Sequence, residues 1–285
     1  MVGDRDAVAA FRTAVVEARV KQQLARELTA RASHLAADVL ADRGAEPYQR
    51  PTPVRLRYPR WGWRRAIGFA VEQRMLSVDY LAAYLRYVQS QSVAHLRRQD
   101  LRLGGMVFLG RHVELHAPMG HGRIVVGPWA WIGDGSMFRA HHGHLAVGAK
   151  VVTGRQTVAN VYLDLEIGDA ALLADWVYLC DFDHRHDRVD VPMKDQGLRM
   201  TPTRVGRDVW IGVKASVLRG ADIGDGSIVA SHAVVKRKFD PFSILGGIPA
   251  EVIGSRLPDG MSIDEATECV RRGEPIRGGP LGETD

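Results

Sequence analysis

From Val205 onward, a β-branched residue recurs at every sixth position of the chain. The run comprises Val205, Ile211, Val217, Ile223, Val229 and Val235. Glycine follows three of these residues, and small residues lie four positions after most of them. The strands of a β-sandwich alternate with a period of two and do not hold a six-residue phase, so a fixed short period calls for a repeat architecture first.

Two further runs obey the same rule, and a weaker one passes through Val147. They are Ile167, Leu173 and Leu179, and Val126, Ile132 and Phe138. We therefore predict a mainly β fold, a parallel β-helix in which one residue in six projects inward and stacks on its equivalent in the next turn. Each buried rung would stabilise the coil by about 1.5–3 kcal/mol, and would contact only its neighbours, as in any solenoid.

The pattern before residue 100 is helical. Apolar residues recur at three- and four-residue steps from Val8 to Val39, and a second helical region begins near Trp63. That second region has Tyr80, Leu81, Tyr84, Leu85 and Val88 on one predicted side. We expect an α-helical N-terminal region over 1–99, a β-helix over 100–258 and a C-terminal tail over 259–285.

The composition restricts the cellular location of the protein but does not identify its binding partner. The 285 residues have a formal net charge of +5, mainly from arginine, which suits nucleic acid, an anionic membrane surface or a polyanionic small ligand. The arginine- and aromatic-rich segment 55–66 could form an acceptor-binding rim for sugars, a membrane-surface contact or a nucleic-acid patch, or its aromatics could simply pack on the coil with the arginines solvated. The N-terminus has no apolar signal-like stretch, and two cysteines are too few for a disulfide framework. We expect a cytoplasmic protein with neither a nucleic-acid partner nor a membrane contact.

The ladder stops for 26 residues between Leu179 and Val205 and then resumes. A loop this long in a regular coil is usually functional, so we predict an extruded loop over 181–204. It opens with the string CDFDHRHDRVDVP, which places His184 and His186 among several aspartates. Acids near an imidazole fix its tautomer and raise its basicity, which suits a general base at neutral pH.

The segment from about Val126 to Gly254 resembles the hexapeptide-repeat O-acetyltransferases, which include the galactoside and maltose acetyltransferases. The strings IGDAALLADWVYLCDFDH, VGRDVWIGVKASVLRGADIGDGSIVA and SILGGIPAEVIG carry this resemblance. The segment is also similar to the xenobiotic acetyltransferases, whose loop has an Asn-His-Arg-x-Asp string where this chain has residues 183–187.

The resemblance implies a left-handed β-helix that forms a homotrimer, with active sites between subunits. It implies acetyl-CoA as co-substrate, no metal, and direct acetyl transfer with His184 as the general base. It also implies the backbone N–H of Val213 as the oxyanion donor. By the same resemblance, Trp210, Ser231, Lys236 and Arg237 line the cofactor groove, and His186, Asp183, Asp187 and Asn160 border the acceptor.

This chain departs from the family's pattern at two positions. The sugar acetyltransferases have an asparagine that holds the acceptor, and the register places Gly154 there. A basic residue expected after the closing signature is replaced by Gly254, with Arg256 close by. The acceptor is therefore the open question, and the resemblance favours a hydroxyl of a sugar or polysaccharide.

Four other functions remain as alternatives. The first is an amino-sugar N-acetyltransferase, and the second is a non-catalytic β-helix scaffold. The third is a γ-type carbonic anhydrase, which shares this fold and binds zinc through histidines, but its loop has a histidine pair five residues apart where this chain has His184 and His186, two apart. The cluster of His141, His142 and His144 also offers potential metal ligands, and we interpret it as a solvated turn. The fourth is a serine acetyltransferase, whose Asp-His string has no match here, since Leu115 precedes His116.

Overall fold

The computed structural model describes residues 77–96 and 98–276, all of which belong to the unit that begins at Gly62. The predicted helical pattern from Val8 to Val39, the proposed helix start near Trp63 and the segment 55–66 lie outside the described residues.

Short strands follow one another around a three-sided coil and form three sheets that run along its length. Sheet 1 contains β1 (Leu101–Leu103), β4 (Gly122–Val126), β7 (Gly143–Val147), β10 (Asp164–Ile167), β15 (Thr203–Val205), β18 (Asp222–Ile223) and β21 (Lys238–Phe239). Sheet 2 contains β2 (Phe108–Leu109), β5 (Trp131–Ile132), β8 (Val152–Thr153), β11 (Leu172–Leu173), β16 (Trp210–Ile211), β19 (Ile228–Val229), β22 (Ser243–Gly247) and β23 (Ala250–Ser255). Sheet 3 contains β3 (Glu114–His116), β6 (Met137–Ala140), β9 (Val158–Val161), β12 (Tyr178–Cys180), β17 (Ser216–Val217) and β20 (Val234–Val235).

Strand pairing along each sheet is parallel until the last strand, β23. The chain completes six three-strand coils and begins a seventh. The predicted mainly β, parallel β-helix is confirmed, and the pairing is consistent with a left-handed coil.

Two lines of turns along the coil are named by the sheets that they connect. Edge 2–3 consists of the turns that lead from sheet 2 to sheet 3, and edge 3–1 consists of the turns that lead from sheet 3 to sheet 1 of the next coil.

The core consists of the predicted rungs. Ile167 pairs with Val205, which pairs with Ile223, and all three side chains are buried. The rungs of the other two sheets are Leu173, Ile211 and Val229, and Leu179, Val217 and Val235, all of them buried.

Glycine is required where a turn approaches the next coil closely. A Cβ on Gly212 would lie 2.5 Å from the Ser231 nitrogen, which is too close for any side chain. Glycine therefore follows a rung where the neighbouring coil lies too close for a side chain.

The interruption after Leu179 forms a loop with its own secondary structure. Strand β13 (Phe182–His184) pairs antiparallel with β14 (Leu198–Met200), and a 3₁₀ helix (Met193–Asp195) lies between them. Because Val205 pairs with Ile167, the coil after the loop lies directly on the coil before it.

Helix α1 (Val78–Leu96) packs against the first coils with a different face from the predicted one. Ala83 is fully buried, and the Tyr80 ring lies edge-on to Phe108 at 5.1 Å. Leu81, Leu85 and Val88 are exposed, so the prediction that they share the packed side was wrong. Residues three and four positions from Tyr80 form the packed stripe instead, because an α-helix repeats every 3.6 residues.

The other end of the coil closes with the antiparallel pair of β22 and β23. Helix α2 (Ile263–Arg272) follows and begins with a capping box between Ser262 and Glu265. Neither described helix combines the length and apolarity needed to span a membrane.

Candidate active site

A buried carboxylate anchors the strand that carries His184. Asp181 is completely buried and accepts hydrogen bonds from the backbone N–H groups of Tyr162, Leu163 and Asp164, at 2.7–2.9 Å. Burial raises the pKa of Asp181, while the three amide donors act in the opposite direction. The carboxylate thereby ties the start of β13 to the preceding coil.

An ion pair ties the same strand to the following coil. Arg219 lies in the turn after β17, and its Nε donates to Asp183 Oδ2 at 2.7 Å. Its Nη1 donates to Thr201 Oγ1 at 2.9 Å, just after β14. Both strands of the loop hairpin are therefore held by one guanidinium, which the sequence analysis did not single out.

Three acidic residues of the loop, Asp183, Asp187 and Asp190, pair with arginines and not with His184. Arg199 Nη2 donates to Asp187 Oδ1 at 2.5 Å, and Arg188 binds Asp190. Within the described part of the chain, no carboxylate forms an ion pair with the His184 ring. The expectation that these acids orient the imidazole is therefore not met within a single chain, because their carboxylates are held by arginines.

His184 is exposed at the end of β13, with its ring edge-on to Phe182 at 6.2 Å. Phe182 contacts Tyr162 edge-on at 4.6 Å, and Tyr162 stacks on His141 at 4.9 Å. These four rings form a column along edge 3–1. Half-buried His141 therefore belongs to this column, and the His142 ring lies beside it, 5.9 Å from that of Tyr162, so neither histidine is the fully solvated residue expected from the sequence.

His186 follows β13, and its Nδ1 lies 3.3 Å from the His184 carbonyl oxygen. Asn160 lies on β9 beside Cys180, and its side chain hydrogen-bonds Tyr178. These two of the four predicted acceptor-pocket residues thus lie near edge 3–1, as His184 does.

Edge 3–1 also carries the two basic residues expected near the cofactor. Lys236 and Arg237 lie in the turn between β20 and β21, and both are exposed. Arg237 forms an ion pair with Glu251 of β23 and lies over the Phe239 ring at 5.0 Å. This places one of the two cations in an intramolecular pair.

The remaining predicted residues lie on sheet 2 and edge 2–3. Trp210 is 49% exposed and projects outward beside Leu172 and Ile228. Val213 and Ser231 follow in the turns after β16 and β19. One face of the coil, roughly six residues or about 20 Å of strand, separates them from edge 3–1 in the same chain.

The backbone amide of Val213 differs from those of two arginines in earlier coils. The amides of Arg111 and Arg155, at the same place in earlier coils, donate to Asp134 and Asp175 at 2.7–2.8 Å. Ser231 occupies the corresponding place beyond Val213 and has no carboxylate. Among the described residues, no acceptor binds the Val213 amide, so this donor is available to a ligand.

Gly154 is a position where no side chain fits. A Cβ there would lie 2.4 Å from Asp175 Oδ1 and 2.6 Å from backbone atoms of the next coil. An asparagine at this point is therefore excluded by packing, and the side chains that project nearby are Arg155 and Gln156. Arg256 binds Asp208 and the Gly226 carbonyl on the third edge, away from Val213.

Within residues 77–96 and 98–276, no group of three or more histidine, cysteine or acidic side chains has an arrangement that could hold a metal ion. The histidines of edge 3–1 contact aromatic rings instead.

Comparison with known proteins identifies the family. Residues 202–237 match the bacterial transferase hexapeptide family, described as six repeats. The probable acetyltransferase Rv3034c of Mycobacterium tuberculosis is 44% identical over 216 residues, which cover 75% of this chain and 71% of that protein. This chain belongs to the hexapeptide-repeat acyltransferases.

Two further similarities of this acyltransferase are more limited. A chloramphenicol acetyltransferase of Escherichia coli is 34% identical over 112 residues, 36% of this chain and 53% of that protein. The solved structure of a galactoside acetyltransferase in complex with coenzyme A is 23% identical with a TM-score of 0.42, and the match covers 46% of this chain and 64% of that one.

Proposed function

We propose that this acyltransferase moves an acetyl group from acetyl-CoA to a hydroxyl group of a sugar or polysaccharide. His184 is the general base, and transfer is direct, without an acyl-enzyme. The protein acts as a homotrimer in which each site lies between two subunits. Its unpaired cysteines, Cys180 and Cys269, suit a reducing compartment, so a cytoplasmic location is part of the proposal.

The observation that carries the proposal is the separation of the site residues between two edges of one chain. His184, Lys236 and Arg237 lie on edge 3–1, whereas Val213 and Ser231 lie on edge 2–3. Base and oxyanion donor must lie within a few ångströms of one reacting carbonyl. Edge 3–1 of one subunit against edge 2–3 of another satisfies this requirement, and a cyclic trimer repeats the contact three times.

The chemistry follows from the two groups. The His184 imidazole takes the acceptor's hydroxyl proton as the oxygen attacks the thioester carbonyl and a C–O bond forms. The Val213 N–H donates to the resulting oxyanion, which costs no reorganisation because the amide is fixed in the turn. Collapse breaks the C–S bond, and the imidazolium returns the proton to the leaving thiolate of coenzyme A.

The charge of the groove suits this co-substrate. Coenzyme A carries several phosphate charges, and exposed Lys236 lies on the edge that would face Trp210 and Ser231 of the neighbour. The Arg237–Glu251 pair would have to open, or remain as part of the groove wall, when a phosphate binds.

The test is complementation between two inactive variants. His184→Ala removes the base, and Trp210→Ala alters the opposite wall of the groove. If each site uses one residue from each of two subunits, refolding an equal mixture should restore about one quarter of the sites. Mixing after folding, without subunit exchange, is the control and should restore no activity.

Recovery in the refolded mixture supports a shared site. Activity that stays at the level of the separate variants contradicts it, provided that light scattering shows mixed oligomers. A stable monomer that turns over acetyl-CoA at the full rate also contradicts the proposal.

A further inference from the structure

The strongest unassigned feature is a cleft on edge 2–3, formed by the coils that precede the one carrying Val213. It has a volume of about 260 Å³ and is lined by His112, Asp134, Gly135, Arg155, Gln156 and Trp176. The positive φ angles at His112, Gln156, Trp176 and Lys214 repeat the same left-handed turn in separate coils, which aligns these side chains in one column.

Trp176 forms the exposed wall of this cleft. Its side chain is 44% exposed, an unusual position for a large apolar ring. Its Nε1 donates to Gln156 Oε1, which leaves the Gln156 amide hydrogens without a partner among the described residues. An aromatic surface beside free hydrogen-bond donors is typical of a small-molecule site.

The Trp176 end of the cleft lies next to the coil that carries Val213. The Lys214 amide donates to the Asp175 carbonyl at 3.0 Å, and the Trp176 amide donates to the Arg155 carbonyl at 2.8 Å. Trp176 thus lies one coil before Val213, whereas Ser231 lies one coil after it. With a donor held along Trp210 and Ser231, an acceptor in the cleft would reach the reacting carbonyl from the Trp176 side.

Two cations lie beside Trp176 at one end of the cleft, whose lining also includes the carboxylate of Asp134. Arg155 and Lys214 lie over the Trp176 ring, with their charged atoms 5.8 and 5.6 Å from its centroid. Arg155 is paired with Asp175 at 3.3 Å, but no described carboxylate pairs with Lys214. The Lys214 ammonium is therefore available to an anionic group beside the ring.

We propose that this cleft binds the acceptor, and that the acceptor is a saccharide with a carboxylate or phosphate near its reacting hydroxyl. The sugar ring lies against the exposed part of Trp176, the Gln156 amide donates to a hydroxyl, and Lys214 binds the anionic group. The inference rests on the proposed acyl transfer at Val213, because that position determines which side the acceptor occupies.

The test measures binding of two sugars that differ in charge, trigalacturonate and its methyl ester, by saturation-transfer NMR on the full-length protein. The wild type should prefer the acid by about 5-fold, the usual scale of one partly exposed charge contact. Lys214→Gln should remove that preference, while Trp176→Ala and Gln156→Ala should weaken both sugars. Lys150→Gln is the matched control, since Lys150 has the same turn conformation on another edge and should keep the preference.

Coenzyme A binding, followed as a rise in melting temperature, separates this inference from the proposed function. The shift should persist in all four variants, which also shows that they fold. A wild type that binds coenzyme A but neither sugar overturns the inference. So does a Trp176→Ala variant that binds both sugars like the wild type, or a Lys150→Gln variant that loses the preference. A wild type without a coenzyme A shift overturns the proposed function instead, and with it the assignment of the cleft to the acceptor.

Discussion

Arg219 Nε donates to Asp183 Oδ2 at 2.7 Å and so connects the strand that carries His184 to the turn of the following coil. The residues are partly exposed, and a pair of this kind stabilises a fold by at most about 1 kcal/mol. We expect the Arg219–Asp183 pair to matter more for the position of the His184 ring than for the stability of the fold.

Arg219→Gln should therefore lower kcat by about 10-fold, since a misplaced base loses alignment with the reacting oxygen. The melting temperature and the KM for acetyl-CoA should change little. Arg207→Gln is the control, because Arg207 pairs with Asp225 at 2.7 Å on another edge. Equal losses of kcat in the two variants would contradict a positioning role for Arg219.

Asp181→Ala should destabilise the protein by about 3 kcal/mol, because three buried or partly buried backbone amides lose their acceptor. Urea unfolding at a fixed subunit concentration measures the loss. Asp190→Ala, in the exposed part of the same loop, should unfold like the wild type. An Asp181 variant as stable as the wild type would show that water replaces the carboxylate.

His184→Ala should leave folding and coenzyme A binding intact, since the side chain is exposed on the loop. Turnover should fall by about 10²–10⁴, the usual contribution of a positioned general base. His186→Ala should cost far less. An inactive His186 variant beside an active His184 variant would mean that the base lies two residues further along the loop.

Stability should decrease as the pH falls below about 6.5. Burial, reinforced by nearby positive groups, lowers the pKa of His141 and His142, so the unfolded chain takes up protons before the folded protein does. Their stabilising contribution is present above the unfolded pKa and is lost as the pH falls through the folded values.

Melting curves between about pH 7.5 and pH 5.5 test this, with the double variant His141→Gln/His142→Gln as the comparison. The double variant should lose less stability over that range than the wild type. An identical pH dependence in the two proteins would assign the effect to other groups.

The rungs could be predicted because each coil must supply one inward residue per face, and Ile211 or Val229 can fill that place only at a fixed spacing. The position of His184 in an extruded loop follows from the break in that spacing. The face of α1 that packs on the coil could not be predicted in this way. Leu81 and Ala83 both fit a helical pattern, and which of them is buried depends on the surface of the first coils.

The residues that surround the site come from different coils, and this is why the sequence did not reveal them. Arg219 meets Asp183, and Lys214 meets Trp176, only because the loop leaves the coil and returns in register. The spacing of the inward residues does not predict contacts between side chains on the outside of the coil. Those contacts could be predicted only from the register of the strands, which is known once Val205 is paired with Ile167.

The loop is closed at its base by two hydrogen bonds, from the Thr201 amide to the Asp181 carbonyl at 2.9 Å and from Thr203 Oγ1 to the Cys180 carbonyl at 2.9 Å. A longer loop beyond these two hydrogen bonds would cost only loop-closure entropy, about 0.6 kcal/mol for each doubling of loop length. The positions of Leu179 and Val205 in the coil would not change. Insertions and exchanges can therefore accumulate in the loop without any compensating change in the coil. The loop is thus a part of the chain whose length can vary while the fold around it stays constant.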